Sequence, residues 1–416
     1  MRQLNPLSTL CAADRLPGWP DRLQRSLAEQ VHVQVADQRW PWWPLLPLYP
    51  YGRRRTLVRE LIPDQLWSFE QLQGIFYVAV PIRMTVARVR GGLMLYAPVA
   101  PTAELLRQLR DLEQRHGPVR SIVLPTASGL EHKLPVPAMA RAFPGADVWV
   151  TPGQWSFPVQ LPLPWLGFPA GRTRVLGEQG YPHADDLRWF SLGPIDLGLG
   201  RFHELTCLHK ASGALLLTDA LVAIPAEPPE LFELDPTPLL FHARDRGDQP
   251  LQDTPDQRRR GWRRLALFAS FLRPEALEVP PLAQLLSQAF APGCRTPRSY
   301  FGLYPFRWRT SSDQAFAALT SSGRLQVAPV LERLVFPRAQ AVVLRWLEQL
   351  ATLSELRWVV PAHYDAPVLL AEDDLATLLD QMRRRTWAPA DGNWAYLARL
   401  DALLLRAGVV PDQPLD

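Results

Sequence analysis

The chain has 416 residues, 47% hydrophobic and 21% charged, with a formal net charge of +4, a balance that suits a soluble globular protein with a large apolar core. Its cations are almost all arginine, with lysine only at Lys133 and Lys210, and no stacking-aromatic motif accompanies the clusters Arg53–Arg55, Arg258–Arg260 and Arg383–Arg385, so they read as solvated faces and no nucleic-acid partner is expected. Three scattered cysteines, Cys11, Cys207 and Cys294, exclude a disulfide framework, and no apolar run reaches the ~18–20 residues of a membrane span, so no transmembrane segment and a cytoplasmic location are expected.

Proline clusters at 41–50, 158–169, 224–237 and 274–281, where it removes backbone donors and stops helices. The first cluster lies in Trp40–Gly52, an aromatic stretch read as an extended arm over the body rather than an interfacial membrane anchor. From residue 74 the pattern turns to short strands: Phe76–Val80, Met84–Val89 and Leu93–Ala97, separated by Pro81 and Gly91-Gly92. Thr102 is a helix cap candidate, and apolar spacing to Leu112 predicts a helix over 102–116. A strand at Val119–Leu124, a short helix at 134–143 and a strand at Asp147–Val150 follow, an alternation that argues for a layered α/β domain. A second strand-rich block spans 186–222 and includes a hairpin around Ser212-Gly213. Helical periodicity then dominates 240–325, with candidates at 256–272, 281–289 and 312–321. A helix near 344–353, a strand at Arg357–Val360, and helices at 371–385 and 393–407 complete the chain.

Several strand ends carry side chains able to bind a metal. Glu131 and His132 follow Val119–Leu124, Asp219 ends Leu215–Thr218, His363 ends Trp358–Val360, and His203 opens the strand from Leu205 to Leu208. Catalytic metal sites need imidazoles and carboxylates on rigid elements, with one position left open. The order of Ser128-Gly-Leu-Glu-His-Lys133, His203, Leu217-Thr-Asp219 and Val359-Val-Pro-Ala-His363 resembles the metallo-β-lactamase superfamily. More narrowly, the segments Leu66–Glu70, Val80–Thr85, Tyr96–Thr102, Ser128–Lys133, Pro152–Pro158 and Pro361–Pro367 resemble an uncharacterised family of cyanobacterial and chloroplast proteins, the domain of unknown function 4336.

The resemblance implies an αββα sandwich of the metallo-β-lactamase type. The boundaries expected are an N-terminal arm over 1–55, a β-rich domain over 56–240 and 341–416, and a helical insertion over 241–340. It implies one zinc or iron ion, or none, held by Glu131, His132, Asp219 and His363, with Asp219 orienting water and His203 taking the proton. The ligand set is thinner than the superfamily's, because Ala127 and Gly129 stand where two histidines would, and Glu131 replaces an aspartate. Two functions follow. One is a hydrolase of a small-molecule ester, thioester or lactone. The other is a non-catalytic binding or assembly factor, whose protein partner meets the aromatic arm or the insertion. Each residue also has a structural reading: a Glu131–Lys133 surface ion pair, an Asx turn at Asp219, a His363–Asp365 hydrogen bond, and a salt bridge for Arg83.

Overall fold

The computed structural model describes residues 35–40, 48–50, 52–75, 77–155, 159–320, 323–384 and 392–411. Residues 41–47 and 51 of the aromatic arm, Phe76, residues 156–158, Cys11 and Arg385 lie outside them. Of the arm's described residues, Trp40 and Tyr49 are buried against the body.

Eight strands make the first sheet: β1 (Leu48–Tyr49), β2 (Leu57–Ile62), β3 (Leu66–Ile75), β4 (Val78–Val89), β5 (Gly92–Tyr96), β6 (Val119–Leu124), β7 (Asp147–Val150) and β8 (Thr173–Val175). The meander β2–β5 is antiparallel and β5–β8 are parallel. The second sheet begins with the hairpin β9 (Leu187–Asp196) and β10 (Arg201–His209), followed by β11 (Ala214–Leu216). Two small ribbons intervene, β12 (Leu221–Val222) with β15 (Gln326–Val327), and β13 (Leu277–Glu278) with β14 (Arg307–Trp308). Then β16 (Trp358–Val360) joins β11 in parallel and β17 (Val368–Leu369) closes the edge.

Twelve α-helices occur among the described residues. In the first half these are α1 (Ala103–His116), α2 (Leu130–Lys133) and α3 (Val136–Ala142). The helical block contains α4 (Leu231–Leu234), α5 (Thr237–Ala243), α6 (Pro255–Phe271), α7 (Leu282–Gln288), α8 (Ser312–Thr320) and α9 (Pro329–Leu334). The last three are α10 (Gln340–Ala351), α11 (Asp374–Arg384) and α12 (Ala395–Arg406). The expected start of α1 holds: Thr102 Oγ1 accepts the Leu105 amide at 3.3 Å, and Leu105, Leu109 and Leu112 line one buried face.

Three stacked cores establish the layer order. Leu105 and Leu109 of α1 and Met139 of α3 pack on Phe69, Met84, Leu95 and Ile122 of the first sheet. Met94, Tyr96, Val123 and Trp149 then meet Leu205, Cys207, Leu216 and Val360 between the two sheets. Leu208, Leu215 and Val359 of the second sheet pack under Trp346, Leu350 and Leu378 of α10 and α11. This is the αββα sandwich expected from the sequence. A fourth core joins the helical block to the first sheet, with Trp262, Phe241, Tyr304 and Phe306 against Leu57, Leu72, Tyr77 and Ala79. Leu397 of α12 belongs to it as well.

Two expectations need correction. The run 57–75, not read as strand, forms β2 and β3. Pro81, read as a break, lies inside β4 opposite Leu72. It is tolerated because β5 pairs with β4 only over Thr85–Val89, so β4 is a local edge at Pro81 and needs no donor there. That free edge meets the segment after β16: Ile82 makes a single antiparallel bridge with His363.

Candidate metal centre

Glu131, His132 and His363 each point one ligand atom inward, and the three atoms lie within 4.8 Å of one another. His132 sits on α2, just past the end of β6, and is fully buried. Its Nδ1 is 3.1 Å from the Pro98 carbonyl oxygen, which can only accept, so Nδ1 carries the hydrogen and Nε2 is left as a lone pair. No described group hydrogen-bonds that Nε2. Burial is the main influence on the ring and holds its pKa below the usual histidine range, which keeps it neutral.

His363 repeats the pattern from the second sheet. Its Nδ1 donates to the Pro81 carbonyl at 3.0 Å and its Nε2 lies 3.0 Å from Asp219 Oδ1. Two acceptors on one ring require a second proton when no cation is present. The pKa agrees in direction: burial pulls it down, but the Asp219 hydrogen bond and charge raise it overall. Asp219 is the partner, in place of the Asp365 that sequence proximity suggested. Burial works against Asp219 ionising, yet His363, then His132, hold its carboxyl below the ordinary range.

Glu131 reaches the cluster because residue 129 is glycine. A Cβ at Gly129 would lie 2.8 Å from Glu131 Oε1 and 2.8 Å from Thr126 Cγ2. The carboxylate of Glu131 therefore occupies space next to the backbone that a side chain at residue 129 would take. Lys133, a possible ion-pair partner for Glu131, instead donates to the carbonyls of Ala127 and Gln154, at 2.7 and 2.6 Å, and burial pushes its pKa down to about 8.

The scaffold behind these groups is polar and buried. The Glu204 carboxylate on β10 accepts the amides of Thr218, Asp219 and Ala220, at 2.5, 3.2 and 3.1 Å, and so fixes the turn that presents Asp219. Burial and the Asp219 charge push the Glu204 carboxyl up to about 7. On the other side, Arg83 donates to Glu70 Oε1 at 3.0 Å, to the Pro361 carbonyl, and to the Tyr364 carbonyl at 2.6 Å. Arg59 binds the same Glu70 oxygen. Burial raises Glu70, but Arg59 and Arg83 outweigh it and hold the carboxyl at about 2, while burial leaves Arg83 itself below its usual value. Tyr364 takes a positive φ of 57°, which turns the chain so that His363 faces the cluster while the Tyr364 carbonyl faces Arg83.

Four of the five expected site residues thus come together: Glu131, His132 and His363 directly, and Asp219 through His363. His203 is the correction. Neighbouring strand residues point to opposite sides, and at this place on β10 it is Glu204 that meets the 218–220 turn. The His203 ring turns to Ser191 of β9, with Nε2 2.8 Å from Oγ, and burial depresses its pKa to about 4. Sequence reasoning missed Glu204, Glu70 and Arg59. A lone acid within the apolar run Phe202–Leu208, and a lone Arg83 between Ile82 and Met84, were the available signals, since a buried charge demands partners.

The donor set fits one divalent cation. Both imidazoles have Nδ1 committed to a backbone carbonyl, Pro98 for His132 and Pro81 for His363, which leaves Nε2 as the nitrogen each can offer a cation, the arrangement that orients histidine ligands. The His132 lone pair has no other partner, and a buried acceptor left unpaired is costly. Side-chain exposures of 15% for His363 and 21% for Asp219 leave the centre reachable from solvent.

Comparison with curated proteins finds no match. Among solved structures, the chain is similar to the metallo-β-lactamase DIM-1 exposed to ceftazidime, at 8% identity and TM-score 0.36, covering 80% of this chain and 98% of that one. It is also similar to a metallo-β-lactamase from Pontibacter korlensis, at 12% identity and TM-score 0.33, covering 79% and 99%. The mono-zinc form of FIM-1 from Pseudomonas aeruginosa matches at 14% identity and TM-score 0.28, covering 39% and 67%. The family model described as a domain of unknown function (DUF4336) matches residues 63–380, from the turn before β3 to α11, and the chain belongs to that family.

Proposed function

We propose that this protein is a hydrolase built on a single divalent metal, zinc or iron, held by Glu131, His132 and His363, with Asp219 completing the centre. The observation that carries the reading is the buried, unpartnered Nε2 of His132 in a cluster with His363 and the Glu131 carboxylate. When bound, such an ion acts as a Lewis acid and lowers the pKa of water to near neutrality. The chain's own residues supply the rest. Asp219, kept ionised, accepts a hydrogen bond from the attacking water and orients it. Glu204 holds the Asp219 turn rigid, and the Arg59–Glu70–Arg83 triad holds the loop that carries His363. The substrate class is a small ester, thioester or lactone.

The reading is tested by loading the purified chain with zinc or iron and assaying aryl esters, acyl thioesters and lactones beside Asp219→Asn. The expected result is hydrolysis of one class, with a loss of about 100-fold or more in the variant at saturating metal. Stoichiometric metal without hydrolysis of any class would discard the hydrolase and favour a metal-dependent binding protein.

A further inference from the structure

The helical block carries an apolar surface that its own core does not use. Leu282 and Leu286, one turn apart on α7, are 70% and 61% exposed, and Val279 and Phe290 flank them at 56% and 62%. Phe301 and Leu303 extend the patch. The Phe290 amide donates to the Phe301 carbonyl at 2.6 Å, and the two rings are 6.0 Å apart. The backbone is bent to present them: Phe290, Tyr300 and Phe301 have φ of 60°, 51° and 52°, a region that non-glycine residues adopt only at a cost. Lack of room in the core does not explain this, because Tyr304 and Phe306 of the same segment are buried there.

The segment that carries the patch holds cations and no acids, and the acid that precedes it, Glu278, is paired with Arg307 and Arg309. From Val279 to Phe306 the sequence contains no aspartate or glutamate, but it contains Arg295 and Arg298. Arg295 is fixed to the patch by donating to the Phe290 carbonyl at 2.7 Å, and Arg307 reaches Gln284 on α7. Among the described residues Arg295 and Arg298 form no ion pair.

We infer that this face docks on an anionic lipid bilayer, with Leu282, Leu286, Phe290 and Phe301 entering the acyl boundary and Arg295 and Arg298 meeting phosphate headgroups. A bilayer surface offers apolar depth and negative charge side by side, which is the complement of this patch. The inference is independent of the metal centre.

The test is co-sedimentation of the full chain with vesicles of phosphatidylcholine alone or with added phosphatidylglycerol. Binding to the anionic vesicles is expected, weakened about tenfold by Phe290→Ser or by Leu286→Ser, each an exposed anchor. Arg295→Gln with Arg298→Gln weakens it too, and raised salt has the same effect. The melting temperature of each variant, compared with wild type, confirms that the fold is unaffected. No binding to either vesicle, equal binding to both compositions, or anionic binding unchanged in all the variants would overturn the inference. So would concentration-dependent self-association, without vesicle binding, that Phe290→Ser abolishes, because a second copy would then cover the face.

Discussion

The backbone amide of Asp219 donates to the carboxylate of Glu204 at 3.2 Å, across a sequence separation of 15 residues. The same carboxylate holds the amides of Thr218 and Ala220, so one buried acid on β10 sets the geometry of the whole turn. Glu204→Leu leaves three amides without their acceptor and should destabilise the fold by about 3 kcal/mol. The measurement is urea unfolding of wild type and variant at the same pH. The variant should also bind metal more weakly, because Asp219 loses its support.

Glu70 provides a pH signature. Its carboxyl is held at about 2 in the folded chain, against an ordinary value of 4.5. A depressed acid contributes stability that is fully present above about pH 4.5 and is lost as pH falls towards 2. The full shift corresponds to about 3 kcal/mol. Wild type should therefore lose more stability than Glu70→Gln across that window, as read from unfolding midpoints at stepped pH. Equal losses would show that the Arg59–Glu70–Arg83 triad is not ion-paired in the folded state.

His132, expected as a metal ligand, and His203, expected as a proton acceptor, should respond differently to substitution. His132→Ala removes an inward-facing donor and should abolish metal binding. His203→Ala removes a ring bonded to Ser191 and should leave metal content within about twofold of wild type. Parallel metal analysis of both variants checks this contrast.

Metal affinity should rise with pH. The metal-free His363 is protonated more readily than an ordinary histidine, because its Asp219 bond outweighs burial. An incoming cation must displace that proton, so affinity falls once pH drops below the raised His363 value. Titration with zinc at several pH values, with proton release followed in two buffers of different ionisation enthalpy, measures it. Asp219→Asn should weaken the pH dependence.

Much of this site was legible in the sequence because strand-end placement is a local property. The runs ending at Leu124, Thr218 and Val360 were apolar enough to read, so Glu131, His132, Asp219 and His363 could be placed without knowing how the sheets meet. What could not be read is long-range. Pro81 looked like a strand break because its sequence gives no sign that pairing with β5 stops at Thr85, and its carbonyl turns out to fix His363. Glu204 was passed over because the resemblance put weight on the histidine beside it, and a one-residue difference in a strand reverses the side chain's direction. Arg83 was read as a salt-bridge residue, which the triad with Glu70 bears out. Its partner stayed hidden because β3 was not recognised as a strand.

The measurement that bears most directly on the central claim is metal content by plasma mass spectrometry on purified, reconstituted chain, with His132→Ala and His363→Ala alongside. The account predicts about one zinc or iron per wild-type chain and essentially none in either variant, with circular dichroism unchanged. Wild-type protein that takes up neither ion, or variants that keep it, would contradict a metal centre at Glu131, His132 and His363.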